Sequence, residues 1–193
     1  LTGELAIGCF DSGMGSMDDT LEQAVGNELT RQLVYEAGSS NYEYIGIDPE
    51  RVCVGGAPDS DASKSLRRGL VTVLAACRTT GLEQAQQLGL GGFSAVVDYP
   101  ISSTTWLVPG RDDAAYHTIY DATDLTTAKQ TALACFSDAG YTVSDGTVTA
   151  APEGASLSFE VRMMAYPDGE NGEVVCDPVY LTLTAAQTAL ADL

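Results

Sequence analysis

Apolar positions along this chain fall into two clear helical rhythms and several short alternating runs. Leu66, Leu70, Val73, Leu74 and Cys77 recur at helical spacing, while Lys64, Arg67, Arg68 and Arg78 fall mostly elsewhere, so a helix is predicted from about Ser60 to Thr79. Asp59, Ser60 and Asp61 supply N-cap and first-turn acids, and Gly81 stands where a C-cap glycine is expected. A second, less regular stretch, Leu82 to Leu88, runs into Gly89, Gly91 and Gly92. Further on, Asp124 can cap a helix in which Ala128, Ala132, Phe136 and Ala139 share one face, ended by Gly140. Thr184-Ala185-Ala186-Gln187 has the capping-box arrangement and predicts the start of a last helix. A chain that ends inside a well-capped helix is expected to belong to a longer polypeptide.

Strand-like signals lie between these helices. Leu5 to Phe10 is a short apolar run leading into the Gly/Ser/Asp-rich loop Asp11 to Asp19, and a patchy helical pattern follows from Thr20 to about Leu29. Gln32 to Ala37 and Tyr42 to Ile47 read as strands separated by Gly38-Ser39-Ser40-Asn41, and Ala95 to Tyr99 as another. Tyr141 to Val143 and Thr147 to Thr149 flank Ser144-Asp145-Gly146, which predicts a tight hairpin. Leu157, Phe159, Val161 and Met163 alternate with Ser158, Glu160 and Arg162 as in a half-buried strand. From Pro100 to Asp124 no period is found, only a long loop carrying Trp106, Tyr116 and Tyr120, and loops of that length are often functional. Together these elements predict an α/β fold, a mixed sheet with flanking helices in a single unit spanning 1–193.

Charge narrows the choice of partners. Nine Lys plus Arg against 27 Asp plus Glu leave −18 at neutral pH, which repels phosphate backbones and anionic membranes and excludes nucleic acid as a partner. With 193 residues, 45% of them hydrophobic, the chain can bury a core, and no window resembles a spanning helix, so a soluble globular unit is expected. Leu1 stands without a basic n-region before it, and the absent initiator Met points to a mature fragment.

Reactive groups are sparse. Cys9, Cys53, Cys77, Cys135 and Cys176 stand far apart without a CxxC or Cys/His cluster, so neither a zinc site nor a disulfide framework is indicated. Cys77 and Cys135 fall on apolar helix faces, where cysteine acts as a small buried hydrophobe. His117 is the single histidine, and no Gly-x-Ser-x-Gly, GxGxxG, Walker, HExxH or EF-hand pattern appears, so no cofactor or metal is expected.

Two resemblances bear on function. Ile7-Gly8-Cys9-Phe10-Asp11-Ser12-Gly13 resembles the start of the cofactor-independent glutamate racemases, with Cys77 and Cys176 as the opposed acid/base thiols that this likeness implies. Arg78 and Asp177-Pro178 stand where that family has an Asn and a Thr-His pair, so the racemase reading ranks behind the other.

The second resemblance covers 42–193. Tyr42-Glu43-Tyr44-Ile45-Gly46-Ile47-Asp48, then Ser60 to Leu70 with its Arg67-Arg68 pair, is similar to a strand-and-helix signature of family 5 extracellular solute-binding proteins, the peptide-type receptors of ABC importers. Asp98-Tyr99-Pro100-Ile101-Ser102-Ser103-Thr104-Thr105-Trp106 resembles the loop that follows in that family. Ala139-Gly140-Tyr141, Asp145-Gly146 and Ala150 to Leu157 resemble its helix, hairpin and strand. The segment 1–41 matches poorly.

The resemblance implies one lobe of a type II periplasmic-binding-protein clamp, without catalysis. Tyr44, Asp48 and Trp106 are the ligand-binding residues it implies, and a peptide or other small solute is the ligand. Its other implied partners are a membrane ABC permease and the remaining lobe of the same protein. The implied location is the cell exterior, lipid-anchored in the full-length protein. A structural or interaction module that no longer holds solute is the alternative within the same family.

Overall fold

The computed structural model describes residues 43–88, 95–98, 124–163 and 178–193. Within them the order is α1 (Asp61–Gln87), α2 (Leu125–Asp138), β1 (Thr142–Ser144), β2 (Thr147–Ala150) and α3 (Pro178–Ala191), with β1 and β2 forming a two-stranded antiparallel sheet. This is a mixed helix-and-sheet arrangement, more helical among the described residues than the alternating runs predict. The strands proposed at 5–10 and 32–37, the helical pattern at 20–29 and the long loop before Asp124 lie outside the described residues.

The first helix starts where its capping residues place it. Ser60 is the N-cap and its hydroxyl accepts from the Ser63 backbone N–H at 3.2 Å, with Asp61 in the first turn. It does not stop at Thr79. The stretch from Leu82 continues the same helix to Gln87, and Gly81 is buried inside it instead of capping its end. A Cβ at Gly81 would stand 2.5 Å from the Thr182 backbone N and 2.6 Å from its Cα, so only glycine lets α1 approach the backbone of α3 this closely. A mid-helix glycine costs about 0.5–1 kcal/mol relative to alanine, and close helix packing offsets that loss. Gly69 does the same toward α2, where a Cβ would lie 2.6 Å from Phe136 Cε1.

The core follows the apolar stripes. Leu66, Leu70, Val73 and Cys77 of α1 meet Ala132 and Phe136 of α2 and Ala186 and Ala189 of α3, all buried. Lys129 Nζ reaches Asp192 Oδ2 at 2.6 Å, tying α2 to the residue just after α3.

The second helix has both predicted ends. Asp124 caps it, its carboxylate accepting from Thr127 N at 2.8 Å and from Thr127 Oγ1 at 2.7 Å. Gly140 takes φ +90°, Gly140 N–H donates to Ser137 O at 2.9 Å and Tyr141 N–H to Phe136 O at 3.0 Å, the two bonds of a Schellman motif. The apolar contact that accompanies such a motif is present, because the Phe136 and Tyr141 rings lie 6.0 Å apart. The chain turns immediately into the hairpin, whose two-residue turn has Asp145 at φ 54° and Gly146 at φ 81°. Ser144, expected in the loop, pairs instead with Thr147. Val148 N–H donates to Leu193 O, so the second residue after α3 lies along β2.

Three further expectations are corrected. The last helix begins by Pro178, and Thr184 is not its cap: the Thr184 hydroxyl donates back to Tyr180 O at 3.0 Å, inside the helix. The segment 43–47 keeps the alternation expected of a strand and 157–163 does not, and neither forms a ladder among the described residues. Ile47 and Phe159 lie against the core, whereas Leu157 and Val161 are 57% and 61% exposed. Residues 95–98, expected to be a strand, are irregular and are held by an ion pair instead.

Candidate functional site

The residues expected to meet a ligand belong to one extended segment, 43–48, and to a stretch outside the described residues. Ile45 and Ile47 are half-buried, and Tyr44, Gly46 and Asp48 are exposed, so 43–48 presents one face to the core and the other outward. Tyr44 is 78% exposed, the most open large hydrophobic side chain among the described residues. Its ring passes over Gly46, where a Cβ would sit 3.6 Å from Tyr44 Cε2.

Asp48 has a second occupation. Its Oδ1 accepts from Glu50 N at 3.0 Å, its Oδ2 lies 3.6 Å from Arg51 Nε, and its carbonyl accepts from Val52 N at 3.0 Å. The side chain therefore shapes the turn that follows the extended segment, as Asp does when its carboxylate bonds the backbone two residues on. Trp106 lies outside the described residues.

What the sequence analysis missed is how firmly the loop after Asp48 is held. Arg67 reaches from α1 to donate to Val52 O at 3.1 Å and to Pro58 O at 2.7 Å. Ser63, fully buried, accepts from Val54 N at 2.8 Å and donates to Ala57 O at 2.6 Å. At the far side of the loop, Gly55 N–H donates to Gly154 O at 3.1 Å, and a Cβ at Gly154 would lie 2.8 Å from Gly55 Cα. Ser60, Ser63 and Arg67 lie on one helical face, and that polar stripe at the start of an apolar helix was the available signal.

The thiols take a packing role. Cys77 is 2% exposed within the core, and burial pushes its thiol up, partly opposed by the charge of Lys129. Cys135 is also buried, its thiol raised mainly by burial. Cys53 donates to Glu50 O at 3.2 Å, and Cys9 and Cys176 lie outside the described residues. A buried thiol with a raised pKa is a poor nucleophile or base, because the thiolate is the reactive form.

Among the described residues no three His, Cys, Asp or Glu side chains form a group that could hold a metal ion. No helix among them is long and apolar enough to cross a membrane. The arrangement places an outward-facing tyrosine on an extended segment whose following loop is fixed to a helix. No protein-family model, curated protein or solved structure matches this chain.

Proposed function

We propose that this chain is an α/β lobe of an extracellular solute-binding protein that serves a peptide-type ABC importer. In this reading it contributes part of a cleft, the remaining lobe of the same protein closes over the solute, and a membrane permease receives it. One observation carries the reading: the segment 43–48 rests on the core through Ile47 while Tyr44 stands 78% exposed on its other face. A peptide presents backbone polar groups and varied side chains, and a fixed aromatic platform beside extended backbone is suited to both. Tyr44 and Trp106 are the contacting residues in this proposal, and Asp48 holds the turn that follows the segment of Tyr44.

The test is a thermal melt of the chain with mixed di- to hexapeptides, with glutamate and aspartate enantiomers as a separate arm. A ligand that binds only the folded state raises the midpoint, by about 2.7 kcal/mol of added stability at a hundredfold excess over Kd. A peptide-dependent rise that shrinks in Tyr44→Ala, with the ligand-free midpoint unchanged, is the expected result. No rise with any peptide, in a cooperatively melting protein, would leave a non-binding module in its place; a rise with glutamate alone would point to the racemase.

A further inference from the structure

The segment 157–163 touches the core through Phe159 and leaves Leu157 and Val161 outside. From Ser158 to Met163 the chain runs without a turn or bend. Ser158 is satisfied locally: its N–H donates to Ser156 Oγ at 3.0 Å, and its carbonyl accepts from the Ser156 hydroxyl at 2.8 Å. Beyond it, no backbone N–H or carbonyl of residues 159–163 meets a partner among the described residues. An extended run with open backbone groups and an exposed Val161 is a template for another strand.

The charges on this run select the strand that fits. Glu160 and Arg162 stand on one side of it, 3.0 Å apart, their side chains 66% and 72% exposed. Set a second copy antiparallel, with Val161 opposite its own symmetry mate, and Glu160 of each copy faces the partner's Arg162, while Phe159 faces the partner's Met163. Opposite charges directly across a pair of strands are stabilising, and like charges are destabilising. Moving the centre one residue in either direction sets Glu160 against Glu160 or Arg162 against Arg162. The run Phe-Glu-Val-Arg-Met is therefore self-complementary about its middle residue, as a twofold interface requires.

We propose that residues 159–163 are a homodimerisation edge, at which two copies of this chain join by antiparallel strand pairing centred on Val161. Neither the pairing nor its test depends on the solute-binding reading. So short a pairing is small beside the roughly 1,200–2,000 Å² buried in stable complexes. Each copy also carries a net charge of −18, so the dimer is weak and forms only at high concentration.

Sedimentation velocity on the full chain tests it, with a thiol reductant present and about 0.15 M salt, which screens charge beyond roughly 8 Å. From tens of micromolar to about 1 mM protein, the average mass should rise from 20.2 kDa toward twice that. Glu160→Arg and Arg162→Glu each set like charges opposite in both halves of the dimer, so either variant alone should associate roughly tenfold more weakly. Glu160→Arg also lowers the net negative charge, which general repulsion would reward, so its weaker association belongs to the pairing. Mixed one to one, the two variants regain opposite charges across the unlike strands, and the mass should rise again. Both side chains are exposed, so circular dichroism and the melting midpoint should remain the parent's. A parent that stays at 20.2 kDa throughout overturns the proposal and leaves this edge to a different strand. So does a dimer that both variants leave intact, or a mixture that associates no better than either variant alone.

Discussion

The helices and the extended segments share one core but settle their backbones in opposite ways. A helix pairs its own N–H and C=O groups, so α1, α2 and α3 need neighbours only for their apolar faces. The segments 43–48 and 157–163 put Ile47 and Phe159 on that core yet have no ladder among the described residues, and the turn and loop that follow the first are held by side chains, Asp48, Ser63 and Arg67. Stability therefore belongs to the helical contacts, and the extended segments, without a ladder among the described residues, are expected to open more readily. In the proposed function the solute-contacting surface belongs to these less stable segments.

The sharpest way to break the comparison is at the closest helix contact. Gly81→Ala would place a methyl against the Thr182 backbone, which cannot swing away as a flexible side chain could. Overpacking costs about 1–3 kcal/mol, and the gain in helix propensity returns up to about 1 kcal/mol. Because the clash is with backbone, the cost falls at the upper end of that range, and a net loss of up to about 2 kcal/mol is expected, read as a lower urea midpoint at unchanged slope. Leu157→Ala, in the exposed segment, should change the midpoint by less than about 0.5 kcal/mol. A Leu157→Ala variant less stable than Gly81→Ala would reverse the assignment of stability to the helices.

A smaller effect is expected where the two regions are joined. Tyr141 belongs to the end of α2 and its hydroxyl donates to Ser156 O at 2.8 Å, just before the exposed segment. Tyr141→Phe removes one hydrogen bond, worth about 1 kcal/mol. Tryptic cleavage after Arg162 should accelerate while amide exchange in α1 stays as slow as in the parent. Equal acceleration in both would mean that Tyr141 holds the whole core and not the junction alone.

The smallest effect concerns the cap of α2. Hydrogen bonds from the Thr127 hydroxyl, and then from its backbone N–H, hold the Asp124 carboxyl below its usual value. A depressed folded value means that the contribution is complete above the unfolded carboxylate pKa, near 3.9, and fades as the pH falls through the lower folded value. Asp124→Asn keeps a good cap but cannot titrate, so its melting midpoint should match the parent near pH 7 and decline less steeply below about pH 4. Parallel acid limbs for the two proteins would remove Asp124 from the account.

How much of this could be read beforehand depended on how local the cause was. The Ser60 and Asp124 caps, the Gly140 terminus and the Asp145-Gly146 turn each act within a few residues, and each appears where its own neighbours placed it. Gly81 misled because a glycine that ends a helix and a glycine that admits another helix look alike in sequence; only the position of Thr182 separates them. Thr184 misled for a related reason, since its hydroxyl can cap a helix or bond back within one. The alternation at 157–163 set Leu157, Phe159, Val161 and Met163 inward, but of these only Phe159 lies against the core while Leu157 and Val161 are exposed, because a strand's inner face is fixed by pairing partners distant in sequence, of which periodicity carries no record. Of the expected site, Tyr44 stands outward as its face required, Asp48 is engaged in its turn, and the supporting Ser63 and Arg67 were hidden among residues that also fit an ordinary helix start.

The bond between Gly55 and Gly154 also dictates an order of assembly. It closes a loop of about a hundred residues, and the entropy lost on closing a loop rises with the logarithm of its length. The helix, Schellman turn and hairpin of 124–150 involve only near neighbours, so they can form before that distant closure. The loop after the Tyr44 segment, like the packing of Gly81 on Thr182, then waits on a distant closure that the 124–150 unit does not need. Pulse-labelled amide exchange should show the 125–150 amides protected ahead of Gly55; simultaneous protection would mean that the whole unit condenses in one step.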